Sequence, residues 1–230
     1  MLLALIAGCV AGFLHVLSGP DHLAAVAPLA AASRRAAWRD GIRWGAGHST
    51  GVAIIGVLLL GLRGVLPVER FSAWSEFAVG LTLWGIGLWS LRRALSTRLH
   101  LHAHDHGGRR HVHFHVHGPE GAHAPAPEAT PHGPHTHAAL AVGTLHGLAG
   151  SSHFFGVLPA LALPGHAQAA AYLVAYGVGT VAAMGLFAQI VGVALGSMAR
   201  RGLRPYRIAL GGLAMAAMGM GTYWLVTWHA

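Results

Sequence analysis

Six apolar stretches, with arginines gathered in alternate breaks between them, constrain this chain more than any other feature. They run roughly 2–31, 43–62, 74–91, 138–163, 171–196 and 208–228. Each is near or above the ~20 residues that a helix needs to cross a bilayer. Charge is scarce between and within them: 10% of residues are charged against 54% hydrophobic, and mean hydropathy is +0.53. A soluble domain usually carries about 25% charged residues, so this composition excludes an ordinary water-facing surface.

The charges that do occur are sorted by side. All fifteen basic residues are arginine. Arg34, Arg35, Arg39 and Arg43 follow the first stretch, Arg92, Arg93, Arg98, Arg109 and Arg110 the third, and Arg200, Arg201, Arg204 and Arg207 the fifth. Only Arg63 and Arg70 fall on the other side. The positive-inside rule makes the thirteen-arginine side cytoplasmic and turns both termini outward. A pI near 11.2 would also suit nucleic-acid binding, but short arginine clusters between apolar runs are explained by topology.

Ile6-Ala7-Gly8-Cys9 resembles a lipoprotein cleavage box. No basic segment precedes it, seven residues is short for a signal core, and the apolar run continues beyond it. A first membrane helix is therefore expected. Cys9 is the single cysteine, so no intrachain disulfide can form and a membrane thiol–disulfide conduit lacks its cysteine pair.

Two stretches are copies of one another. Residues 12–31, GFLHVLSGPDHLAAVAPLAA, and 143–162, GTLHGLAGSSHFFGVLPALA, share nine of twenty positions at a shift of 131, among them His15/His146, Gly19/Gly150, His22/His153 and Pro28/Pro159. Gly45-Ala46-Gly47 matches Gly177-Val178-Gly179, and Gly85/Gly87 matches Gly219/Gly221. Each copy thus holds three helices. Three is odd, so the second copy enters from the opposite face, giving an all-α polytopic protein of six membrane helices as a 3+3 inverted repeat. Such repeats recur in transporters, with sites near the midplane. The expected units are a first repeat over 1–99, a histidine-rich connection over 100–137 and a second repeat over 138–230.

The duplicated segments carry the chemistry. On an ideal helix His15, Ser18 and His22 share one face, but Gly19-Pro20 disfavours an unbroken helix, because proline lacks a donor and clashes with the preceding turn. A thirty-residue straight helix would also overshoot the hydrocarbon core at ~45 Å. Helices one and four are therefore expected to break at their histidine motifs. Asp21 is the one acid well inside a span, where an unpaired carboxylate costs about 2.5–3.5 kcal/mol, so it needs a cation. Two imidazoles beside a carboxylate suit a divalent metal. His48, in GAGHSTGV, adds a donor from the second helix, and His146 and His153 could complete the set. The second copy has Thr180 for His48 and Ser152 for Asp21, so the carboxylate comes from the first repeat alone. The expected metal site is His15, Asp21, His22, His48, His146 and His153.

His15-x5-Asp21-His22 resembles the signature helix of bacterial nickel and cobalt permeases of the HupE/UreJ type. Gly47-His48-Ser49-Thr50 is similar to the next element of the larger nickel/cobalt transporter family, and the layout resembles UreH-like membrane proteins. The resemblance implies transport of Ni²⁺ or Co²⁺, with His15, Asp21, His22 and His48 as the matched positions. Gly150 stands where the second HupE-type motif has another histidine. Zn²⁺ stays open as cargo, since it too accepts imidazole and carboxylate.

Twelve of the nineteen histidines lie within 100–137, among Pro, Gly and Ala. Composition predicts a disordered cytoplasmic loop there, with His-x-His pairs open to late divalent metals; the RcnA-type exporters resemble this chain in that loop. The expectation is a multi-pass carrier in the plasma membrane, not an enzyme, working in uptake with no tightly bound cofactor. Its partners would be the metal ions, membrane lipid and metallochaperones or metalloenzyme maturation factors, and no nucleic acid. Proton-coupled efflux and a metal-sensing accessory role are the alternatives.

Overall fold

The structure, a computed structural model, describes residues 1–33, 36–61, 68–96, 98–106, 109–117, 135–149, 159–160 and 162–228. The bundle is helical. Its seven described helices are α1 (Leu2–Ser18), α2 (Pro20–Ser33), α3 (Ala37–Gly61), α4 (Val68–Ser96), α5 (His135–Leu148), α6 (His166–Arg201) and α7 (Leu203–Val226). Two of these, α6 and α7, are long and apolar enough to cross a membrane, and α1 with α2 makes a third when taken as one bent span.

The bend falls at Gly19, where α1 and α2 meet at 77°. Gly19 leaves the helix with φ −94° and ψ 97°, and its amide still reaches the Val16 carbonyl at 3.3 Å. Its own carbonyl accepts from His22 and Leu23 at 3.1 and 3.3 Å, which starts α2. Pro20 occupies the first position of that helix, where a missing N–H costs nothing. The corresponding break in the second copy cannot be followed: α5 ends at Leu148, and 150–158, with His153, lie outside the described residues.

Part of the histidine-rich connection falls within the described residues. Arg98–His106 (β1) and Arg109–His117 (β2) pair as an antiparallel hairpin. Histidines recur there at every second position, alternating with Leu, Ala, Val and Phe, and a two-residue period is that of a strand. Residues 118–134 lie outside the described residues.

The usual distribution of polarity is inverted. Val174, Val178, Ile190 and Val193 on α6 and Ile208 and Val226 on α7 are exposed, whereas Asp21, His22, His48, His146 and Thr180 are buried. Lipid in place of water as the outer solvent accounts for both halves of that pattern. Inside, α1 packs on α6, α3 on α5 and α6, and α4 on α7. Small residues let these backbones touch. A Cβ at Gly12 would run into the Tyr176 carbonyl, and one at Gly143 into the Trp44 carbonyl. Likewise Gly179 abuts the Cys9 carbonyl and Gly47 that of Leu140. Within each pair of contacts, the partners are related by the same 131- or 132-residue offset that relates the duplicated motifs.

Candidate metal centre

Four helices converge at the bend. His15 comes from the last turn of α1, Asp21 and His22 from the first turn of α2, His48 from the middle of α3, and His146 from the last turn of α5. The Gly19 break does the positioning: it turns His22 back toward His15, and the two rings stand 4.7 Å apart, edge to face. His48 lies 4.9 Å from His22 and 5.8 Å from His15, centroid to centroid. His146 closes the other side, 4.7 Å from His22 and 5.7 Å from His48.

Two ligand-like groups result, and they share His22. One nitrogen each from His15, His22 and His48 lie within 4.8 Å of one another, and so do the donor atoms of Asp21, His22 and His146. Asp21 is the hinge between them. Its Oδ1 accepts from His22 Nδ1 at 2.9 Å and its Oδ2 from His146 Nε2 at 3.0 Å. A carboxylate only accepts, so each imidazole must present its proton there. A neutral His22 then carries its proton on Nδ1 and keeps its lone pair on Nε2. A carboxylate behind a histidine in this way orients the ring and raises its basicity as a ligand. Asp21 thus bonds two imidazoles and also belongs to the second of the two ligand-like groups.

Two aromatic residues that sequence reasoning missed flank the histidines. Trp44, fully buried, stacks on His48 at 5.1 Å with rings 7° from parallel, and stands 5.2 Å from His146. Tyr176 lies 5.7 Å from His15. Trp44 precedes His48 by four residues, one helical turn, so helical spacing could have found it. The repeat offset of 132 then pairs it with Tyr176. Thr180, at the place equivalent to His48, bonds the Tyr176 carbonyl at 3.0 Å and that of Gly12 at 3.4 Å; it fills backbone demand and extends no ligand set. A recess of about 730 Å³ between α3 and α6, lined by residues such as Ile42, Val178, Val181 and Leu186, opens on the apolar exterior and contains none of the histidines.

Of the six expected site residues, His15, Asp21, His22, His48 and His146 thus lie in one cluster. Four of them, Asp21, His22, His48 and His146, are less than 8% exposed.

No family model matches the chain, and no solved structure does. Among curated proteins it is 37% identical over 186 residues to chloroplast protein FOR GROWTH AND FERTILITY 1 of Arabidopsis thaliana, covering 80% of this chain and 48% of that one. The second protein of that name is 35% identical, with 80% and 46% covered. The chain spans about half the length of these two relatives. Urease accessory protein UreH of Bacillus sp. (strain TB-90) is 28% identical over 198 residues, with 84% of this chain and 78% of that protein covered. By that match the chain is a distant homologue of UreH.

Proposed function

We propose that this chain is a membrane carrier for a divalent transition-metal ion, Ni²⁺ or Co²⁺, working in uptake through a site made by His15, His22 and His48. One observation carries the reading: three imidazoles from α1, α2 and α3 bring donor atoms within 4.8 Å of one another inside a chain whose exterior is apolar. Imidazole suits Ni²⁺, Co²⁺ and Zn²⁺, and the relative named as a urease accessory protein favours nickel. Three protein ligands leave coordination positions for water. Such a site lets an ion bind and also leave, as conduction demands.

The proposed architecture is six crossings as a 3+3 inverted repeat in the plasma membrane, termini outside and the hairpin cytoplasmic. The paired contacts Gly12–Tyr176 and Gly143–Trp44 support that two-fold arrangement, and thirteen arginines on one side support the orientation. An ion entering the cluster exchanges water for His15, His22 and His48, while Asp21 holds His22 in its coordinating tautomer and offsets part of the added charge. Trp44 covers His48 and Tyr176 covers His15, and rocking of the repeats uncovers the cluster to each face in turn. An inside-negative potential of 100 mV favours inward movement of a divalent cation by about 4.6 kcal/mol, so uptake needs no further coupling. Metallochaperones or metalloenzyme maturation factors would receive the ion.

Radioactive nickel uptake into proteoliposomes held inside-negative tests this. His22→Ala should slow initial uptake roughly tenfold or more; a rate equal to that of the unaltered chain removes the cluster from the pathway.

A further inference from the structure

The recess between α3 and α6 has walls of one kind and ends of two kinds. Gly177, Val181 and Gly185 line it along α6, and Trp38, Ile42 and Ser49 line it along α3. The three α6 residues recur at every fourth position, so they share one helix face. Its two glycines keep that face low: a Cβ on Gly185 would stand 3.1 Å from Ile42 Cγ1, and one on Gly177 3.7 Å from Ser49 Oγ. From Trp38 to Ser49 the α3 axis rises about 16 Å, the depth of one leaflet of a hydrocarbon core about 30 Å thick. The Ser49 end is flanked by the exposed apolar side chains of Val174 and Val178. At the other end the Trp38 amide donates to Gln189 Oε1 at 3.3 Å, and the Arg39 guanidinium stands 5.4 Å over the Trp38 ring. Both Trp38 and Arg39 are exposed. Tryptophan and arginine at the end of an apolar span mark the level of the lipid headgroups. Arg43, one turn further along α3, faces Asp40 at 3.3 Å, whereas Arg39 lies at the surface beside the recess.

We propose that this recess binds one anionic phospholipid, with an acyl chain between α3 and α6 and the phosphate paired with Arg39. The apolar walls run for the depth of a leaflet, which is the reach of an acyl chain and not of a headgroup. A guanidinium meets a phosphate through two parallel N–H···O bonds, and the ring of Trp38 holds it at the mouth. The side on which the arginines gather is also the side of the anionic leaflet. A second copy of this chain fits less well, because a two-fold contact in a membrane sets a second Arg39 at the same depth as the first. The site rests on the membrane orientation proposed above and needs no metal.

The test uses the full chain in detergent micelles, equilibrated with phosphatidylglycerol or with phosphatidylcholine, and counts lipid retained per chain by native mass spectrometry. The unaltered chain should retain phosphatidylglycerol in preference to phosphatidylcholine. Arg39→Gln should weaken retention of phosphatidylglycerol roughly fivefold and leave that of phosphatidylcholine unchanged. Arg93→Gln is the control for charge alone, since Arg93 likewise stands over a tryptophan, 5.7 Å from the ring of Trp89, and Trp89 does not line the recess; it should change neither. Val178→Trp fills the recess from its exposed wall and should lower retention of both lipids. Equal losses for Arg39→Gln and Arg93→Gln, or full retention by Val178→Trp, overturn the site. So does a mass of two chains that Val178→Trp reduces to one, which assigns the recess to a second copy. Nickel enters none of these measurements, so failure of the transport reading leaves their outcome intact.

Discussion

Asp21 and His146 are 125 residues apart in the chain, yet Asp21 Oδ2 accepts a hydrogen bond from His146 Nε2 at 3.0 Å inside the bundle. That bond ties the first duplicated motif to the second. It also explains why one carboxylate suffices in a site with two related halves: its other oxygen serves His22, so the acid contributed by one copy orients an imidazole from each. Position 152, where the second copy has serine, is not needed for this.

Asp21→Asn keeps the size of the side chain but removes its charge and replaces one acceptor with a donor, which cannot accept from an imidazole N–H. Nickel uptake should slow about 10–100-fold, as loss of an orienting partner does in metal sites. His146→Ala should cost less, and adding it to Asp21→Asn should cost little more, because both act on one hydrogen-bonded unit. Initial rates in proteoliposomes measure all three variants. Fully additive losses would show that the two residues act separately.

Gly19 has a negative φ, so backbone freedom is not what the position demands. It demands room: a Cβ there would run into His22 Nδ1 and stand 3.0 Å from Asp21 Oδ1. Gly19→Ala should therefore displace the imidazole and slow uptake roughly tenfold. Thermal unfolding in detergent should shift little by comparison. A variant with normal uptake would mean that the Asp21–His22 pairing is dispensable.

Gly12 and Gly143 face carbonyls of the neighbouring helix, whereas a Cβ on Gly85 meets nothing within 4 Å. Gly12→Ala and Gly143→Ala should each destabilise the bundle by about 1–3 kcal/mol through overpacking. Gly85→Ala should be neutral or stabilising by up to about 1 kcal/mol, since alanine favours helix. Unfolding midpoints rank the three. Equal behaviour of all three would contradict the close backbone approach.

Much of the site was readable before any fold was known. The repetition of His15 and His22 at His146 and His153 marked the segments, Gly19-Pro20 marked the break, and Asp21 stood out as an acid in an apolar run. These are local signals: proline geometry, glycine, and the cost of polar groups in apolar sequence act over a few residues. Trp44 gave only its one-turn spacing from His48, a weak signal, because a tryptophan in an apolar helix is ordinary until its partner is known. In the hairpin, alternation of histidine with Leu, Val and Phe specifies a strand only when a second strand is available to pair.

The chain by itself determined its apolar helices, the sidedness of its arginines, the place of the bend and the residues able to bind a metal. Tertiary structure decided what those residues do to one another. Only packing of α5 against α3 brings His146 to Asp21, so that one carboxylate bonds two imidazoles from different segments. Only strand register sets His102 across from His113. The physical reason is common to both: tautomers and ligand spacings depend on contacts between segments far apart in sequence, and such contacts form only after the backbones have closed on one another.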